Sequence, residues 1–193
     1  MTAGEIRTLL ARAYLEDPLL VWVFPDPEHR LESSAAWLGV SVERYLAVGL
    51  VEEVREDGAL VATALWRRPD TVLAGRADQL PTAGGLLRAL VGADHAAEVT
   101  AGFAAVPRPP GDVPVAYLNY LAVAPGAQGR TLGGRLLDRV VGRAREGGLP
   151  LRLDTTNPVN LSFYEAHGLT VRAEERLGPT GPVMWRLETD RVH

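Results

Sequence analysis

Cysteine is absent from the 193 residues, and so is lysine; every basic side chain other than histidine is an arginine. Without cysteine there are no disulfides and no thiolate metal centres. Without lysine the phosphate-binding P-loop, which ends in Gly-Lys-Ser/Thr, is excluded, and no G-x-G-x-x-G spacing is present to mark a dinucleotide fold. An excess of positive charge is missing too. The net charge of −4 and pI near 5.6 argue against nucleic acid or an anionic membrane surface as a partner. The N-terminal sequence MTAGEIRTLL lacks the basic start and long apolar centre of a signal peptide. The apolar run Leu19 to Phe24 is far short of the roughly 20 residues that span a bilayer. A soluble, cytoplasmic protein is the expectation. The histidines at 29, 95, 167 and 193 show no ligand spacing, so no metal is expected. No internal repeat or low-complexity run occurs.

What remains is an ordinary globular composition, 47% hydrophobic and 23% charged, of a length that suits one domain over 1–193. Ile6, Leu9, Leu10 and Ala13 recur at helical spacing over residues 3 to 15, and Asp17-Pro18 breaks that helix. A second helix starts near Pro27, with Leu31, Ala35, Leu38, Val42, Tyr45 and Leu46 as its apolar stripe. Trp22, Phe24, Trp37 and Tyr45 form an aromatic cluster that reads either as core or as a pocket wall. Val51 to Glu56 and Ala59 to Trp66 flank Asp57-Gly58, a strong hairpin signal. Residues 70 to 105 carry two helical stretches, and a proline-rich connection runs from Pro107 to Pro114.

The stretch from 115 to 145 organises the chain. Val115 to Val123 is apolar on both alternating faces, as in a strand inside a covered sheet. Its alternation puts Tyr117 and Leu121 on one face, Leu118 and Tyr120 on the other. Ala124-Pro125-Gly126 ends it, and Leu132, Leu136, Leu137, Val140, Val141 and Ala144 then repeat with helical period. A strand, a glycine-rich turn and a helix N-terminus make an anion site, because the first helical N–H groups are unpaired and carry partial positive charge. The glycines could equally serve only the turn. Leu149 to Thr155 is the following strand, parallel to the first through a right-handed crossover. Asn157-Pro158 opens another helix that ends at His167-Gly168. Leu169 to Ala173 and Val183 to Leu187 complete the pattern.

The turn Gln128-Gly129-Arg130-Thr131-Leu132-Gly133-Gly134 resembles the pyrophosphate loop of the GNAT acyltransferase superfamily. Gln128 and Gly133 match its first and last positions, and Thr131 stands where the family has its middle glycine, placing a Cβ on the ligand side. A second match lies in LDTTNPVNLSFYEAHG, where Asn157, Phe163, Tyr164, Glu165 and Gly168 fall on the family's pattern and Leu169 replaces its Phe. Within the superfamily, WVFPDPEHR, the strand ending at Trp66, the run Asp154-Thr155-Thr156-Asn157 and Met184-Trp185-Arg186-Leu187 are similar to puromycin-acetyltransferase-type proteins.

The resemblance implies a mixed α/β fold, with a mostly antiparallel central sheet, a parallel pair splayed at the CoA site and helices on both faces. Residues 115–173 would be its CoA-binding core. It implies acetyl transfer from acetyl-CoA, as co-substrate and without a metal, to an amine. Backbone N–H groups of Leu121, Ala122 and Val123 would hold the acetyl carbonyl and pantetheine. The loop residues Gln128, Gly129, Arg130, Thr131, Leu132, Gly133 and Gly134 would hold pyrophosphate. Tyr164 would protonate the leaving thiolate, or it is simply a ring buried beside Phe163. Asn157 would contact pantetheine or cap its helix. Asp154 is the nearest carboxylate for a base, or an exposed strand-end charge. A small-molecule amine is the expected acceptor, with a peptide N-terminus and a non-catalytic acyl-CoA sensor as alternatives; a homodimer is left open.

Overall fold

A computed structural model of the chain describes residues 2–48, 50–73, 80–107 and 114–191. The proline-rich connection lies outside the described residues apart from Pro107 and Pro114, as do 74–79 and His193.

Helix α1 (Ala3–Ala13) starts with a capping box: Thr2 accepts from the Glu5 N–H and the Glu5 carboxylate accepts from the Thr2 N–H. Asp17-Pro18 stops α1 as expected but also begins a short helix, α2 (Pro18–Val23), because Asp17 accepts from the Leu19 N–H at 3.0 Å and Pro18 fits the first turn. Helix α3 spans Arg30–Val48 and starts later than Pro27. An Asp26 oxygen takes the Glu28 N–H at 3.0 Å and holds the preceding residues in a turn. Arg30 is buried, with its guanidinium donating to the carbonyls of Phe24 (2.9 Å), Pro25 (3.3 Å) and Leu15 (3.4 Å). One side chain thereby locks the turns between the first three helices.

Strands β1 (Val51–Glu56) and β2 (Ala59–Arg67) form the expected hairpin. Its turn residues Asp57 (φ 48°) and Gly58 (φ 82°) are both left-handed, as a two-residue hairpin turn demands. Helices α4 (Ala83–Val91) and α5 (Ala93–Ala105) follow, then β3 (Ala116–Val123), α6 (Leu132–Glu146), β4 (Leu151–Thr155), α7 (Leu161–Ala166), β5 (Leu169–Arg176) and β6 (Val183–Thr189). The sheet order is β1-β2-β3-β4-β6-β5, and only β3 and β4 run parallel.

Each sheet face has its own core. On one, α6 packs Leu136, Leu137 and Val140 against Ala64 and Trp66 of β2, Leu118 of β3 and Leu153 of β4. On the other, Ile6, Leu10, Val42 and Tyr45 of α1 and α3 meet Leu65 and Ala122. The buried carboxylate of Glu52 on β1 accepts from Arg139 at 3.3 Å and pairs with Arg143 at 2.9 Å, fixing α6 across the sheet.

The simple alternation expected for β3 fails at one residue. Trp66 pairs with Leu118 and Leu65 with Tyr120, so Asn119 is an extra residue on β3. A bulge reverses which face later side chains take. Leu118 and Leu121 consequently share the α6 face, while Tyr120 and Ala122 lie on the face of α1 and α3.

Leu136 is fully buried in the α6 stripe. Leu136→Ala is expected to cost about 2–5 kcal/mol in urea unfolding, the range for a buried leucine that leaves a cavity. The same measurement on Val159→Ala, at a residue 79% exposed, should stay within about 0.5 kcal/mol.

Candidate active site

The parallel pairing of β3 with β4 runs from Ala116 and Leu151 to Leu118 and Leu153 and then stops, although β3 continues to Val123 and β4 to Thr155. Beyond that point the strands part. The Ala124 N–H donates to the Val61 carbonyl at 2.8 Å, so it faces β2. By strand alternation the Ala122 N–H also faces β2, whereas those of Leu121 and Val123 face the gap. The Leu121 group has a partner there: the Tyr14 hydroxyl accepts its N–H at 3.0 Å and donates to its carbonyl at 2.8 Å. A ligand binding Leu121 must displace or share that hydroxyl.

At the far end of the gap, the Gln128 amide donates to the Val123 carbonyl at 3.3 Å and ties the turn to the strand. Gly129 (φ 75°) and Thr131 (φ 61°) are left-handed, and Thr131 is the residue that enters α6. A β-branched residue in that region is an outlier. Arg130 leaves the turn for β1, donating to both oxygens of Glu56 at 2.9 and 2.7 Å. Gly133 and Gly134 answer to packing. A Cβ on Gly133 would come 3.4 Å from Val123, and one on Gly134 would meet the His167 ring at 2.9 Å. The first bond into the helix is Arg135 N–H to the Thr131 carbonyl, at 3.0 Å. The N–H groups of Leu132, Gly133 and Gly134 therefore lie free of intrahelical acceptors at the positive end of a 15-residue helix. These groups fit an anion such as the pyrophosphate of a coenzyme.

A cavity of about 400 Å³ fills the space where the strands part. Tyr164 borders it; burial, and secondarily the charge of Asp17, push its phenol up to about 12. Its ring meets Phe163 at 5.2 Å, so it is a packed aromatic as well as a cavity residue. Asp154 is not the exposed strand-end charge that was one reading of it. It accepts from Tyr117 and from Arg186 Nε, each at 3.0 Å, with its side chain only 17% exposed. Asn157 caps its turn, accepting from the Val159 N–H at 3.1 Å. Of the aromatic cluster, Trp37 lines the cavity, Phe24 and Tyr45 are core, and Trp22 donates to Thr180 at 3.1 Å. Among the described residues no three His, Asp or Glu side chains converge as metal ligands.

The lining residues that escaped the sequence reading include Tyr14 and Asp17. Tyr14 is the last residue of α1's cap and carried no motif. Asp17 read only as a helix breaker. Its Oδ1 accepts from the Leu19 N–H and, at 2.8 Å, from the Thr156 hydroxyl 139 residues away. Burial raises its pKa above the usual carboxylate value against the opposing pull of those two bonds. No sequence pattern announces this contact, since it exists only where β4 ends beside the start of α2.

Residues 6–169 match the Acetyltransferase (GNAT) family. In structure the chain is similar to a histone acetyltransferase HPA2-related protein of Corynebacterium glutamicum, with 20% identity, TM-score 0.67, and 99% and 92% of the two chains covered. It is similar to a polyamine N-acetyltransferase of Drosophila melanogaster that forms N-acetylagmatine, with 20% identity, TM-score 0.58, and 98% and 95% covered. The NatC complex bound to Gag peptide and CoA also matches, at 11% identity, TM-score 0.52 and 80% of each chain. At these identities the likeness is one of fold.

The left-handed Thr131 makes a stability prediction. The conformation costs an L-residue about 1–2 kcal/mol, and glycine's greater freedom when unfolded returns about 0.5–1 kcal/mol of that. Thr131→Gly should therefore raise unfolding stability by up to roughly 1.5 kcal/mol in urea titration. A loss of stability would show that the threonine's contacts outweigh its backbone cost.

Proposed function

Because the chain belongs to the GNAT family of acetyltransferases, we propose that it moves an acetyl group from acetyl-CoA directly to the amine of a small molecule. The observation that carries this reading is the cavity between the parted strands β3 and β4, bordered by a buried tyrosine and by the Leu121 backbone, whose N–H and carbonyl are held by the exchangeable Tyr14 hydroxyl. The loop 128–134 and the α6 N-terminus would hold the pyrophosphate. Pantetheine would run along the gap, past Val123 and Leu121, with Asn157 near it. The acetyl carbonyl would meet the gap-facing N–H groups, which are fixed before reaction and suit a developing oxyanion.

Tyr164 would give its proton to the departing sulfur. A phenol raised to about 12 stays protonated at neutral pH, so the proton is in place when the thiolate departs. The acceptor enters from the side of α2 and α5, where Leu19, Trp37, Phe103 and Val106 form an apolar wall. The volume of about 400 Å³ lies in the range of small-molecule sites. The Asp154–Arg186 pair cancels its own charge, which suits an amine on an apolar or aromatic stem better than a polycation. The resemblance to puromycin-acetyltransferase-type proteins points the same way.

The test is acetyl-CoA consumption against a panel of aromatic monoamines, amine antibiotics, polyamines and peptides. Turnover should be fastest with an apolar monoamine; preference for peptides would replace the small-molecule acceptor with a protein N-terminus. Millimolar acetyl-CoA should also raise the melting temperature, since a ligand of the folded state stabilises it. Tyr164→Phe should lower kcat by about 10²–10⁴-fold with acetyl-CoA affinity nearly unchanged. A drop below about fivefold in a folded variant would remove Tyr164 from the proton path.

A further inference from the structure

We propose that Asp17, and not Asp154, is the base that takes the acceptor's proton, an assignment that rests on the transferase reading above. Two carboxylates border the cavity, and their surroundings differ. Both oxygens of Asp154 are committed, one to the Arg186 guanidinium and the other to the Tyr117 hydroxyl. A proton placed on Asp154 would leave Arg186 charged, largely buried and without its anion, which is costly. Asp17 has only Oδ1 engaged, by the Leu19 N–H and the Thr156 hydroxyl; among the described residues Oδ2 has no partner, and no cation pairs with it. A carboxylate with one oxygen fixed and the other open to a cavity is oriented yet still able to accept.

The neighbours of Asp17 fit the role. Tyr14 of α1 and Tyr164 of α7 are the titratable groups whose charges couple with it, and both phenols are held up by burial and stay neutral. Glu16 beside it in sequence is 80% exposed and paired with Arg30 at 3.6 Å. Among the described residues Asp17 is thus the unpaired negative charge of the cavity, and an incoming ammonium is its natural counterion. Burial moves its pKa upward, toward that of a working base.

The proton balance closes with these groups. Asp17 takes one proton from the ammonium and leaves the neutral amine, whose lone pair forms the C–N bond to the acetyl carbon. As the C–S bond breaks, Tyr164 gives its proton to sulfur. The nitrogen, cationic after attack, loses its second proton, which restores the Tyr164 phenol. Asp17 then releases the first proton to solvent. One amide, one thiol and one proton leave.

The experiment compares wild type, Asp17→Asn, Asp17→Ser and Asp154→Asn in the full chain. The measurements are kcat with the best acceptor, the pH profile of kcat/KM, acetyl-CoA affinity by calorimetry, and melting temperature. Asparagine and serine both keep an oxygen for the α2 cap, so folding should survive. Asp17→Asn and Asp17→Ser should lose about 10²–10⁴-fold in kcat at unchanged acetyl-CoA affinity, and lose the acid limb of the profile. In wild type that limb falls as pH drops through the raised pKa of Asp17 and protonates the base. Asp154→Asn should keep the limb and melt lower, as Arg186 loses its partner. Asp17 variants within about fivefold of wild type, or a limb that vanishes in Asp154→Asn instead, overturn Asp17 alone; so does a wild-type profile without that limb. A wild type that binds acetyl-CoA but acetylates no amine overturns the transferase reading and the base with it.

Discussion

One extra residue in β3 governs the site. Asn119 breaks the pairing register with β2, and past it β3 no longer pairs with β4. In a continuous sheet the backbone groups of residues 119 to 123 would be spent on a neighbour. Parting the strands leaves a row of N–H and carbonyl groups facing a gap. Such groups are costly to leave without partners. The fold resolves part of that cost with Tyr14, whose hydroxyl serves both groups of Leu121, and part with Gln128 on the Val123 carbonyl. The remainder is what a ligand can use. The bulge also swaps faces, so Leu121 and Val123 pack with α6 while Tyr120 turns toward α1 and α3.

Around the gap the fold holds its parts with charges kept away from the chemistry. Glu52 anchors α6 through Arg139 and Arg143, and Glu56 holds Arg130 on the outer side of the loop. Arg30 staples the turns of the first helices through carbonyls. Inside the cavity, the Asp154–Arg186 pair neutralises itself. Among the described residues that leaves an apolar chamber with tyrosine hydroxyls and one carboxylate, Asp17, whose charge is not cancelled. In a medium of low effective dielectric a single uncancelled charge dominates what the chamber attracts.

The elements that were legible are those whose cause is local. The period of Leu132, Leu136, Leu137 and Val140 marks α6 because helical geometry alone puts them on one stripe. Asp57-Gly58 marks its hairpin because few other residues tolerate two successive left-handed positions. Asn157 could be read as a cap from its neighbour Pro158, and it is one. The short helix α2 was missed because six residues carry too little periodicity, and the delayed start of α3 depends on a turn held by Asp26.

The sequence by itself determined the order of elements other than α2, the parallel pair, the glycine-rich entry to α6 and the membership in an acyltransferase family, since each rests on spacing within a continuous segment. The tertiary structure alone decided which residues share the cavity. Asp17 reaches Thr156 and Tyr14 reaches Leu121 across more than half the chain, and spacing within a segment carries no trace of such meetings. It also decided the face of every β3 residue after Asn119, because a bulge is set by what the neighbouring strand offers, not by the strand's own alternation. The environment of each carboxylate followed from the same cause: Asp154 is matched to an arginine on β6, and Asp17 is left facing open space.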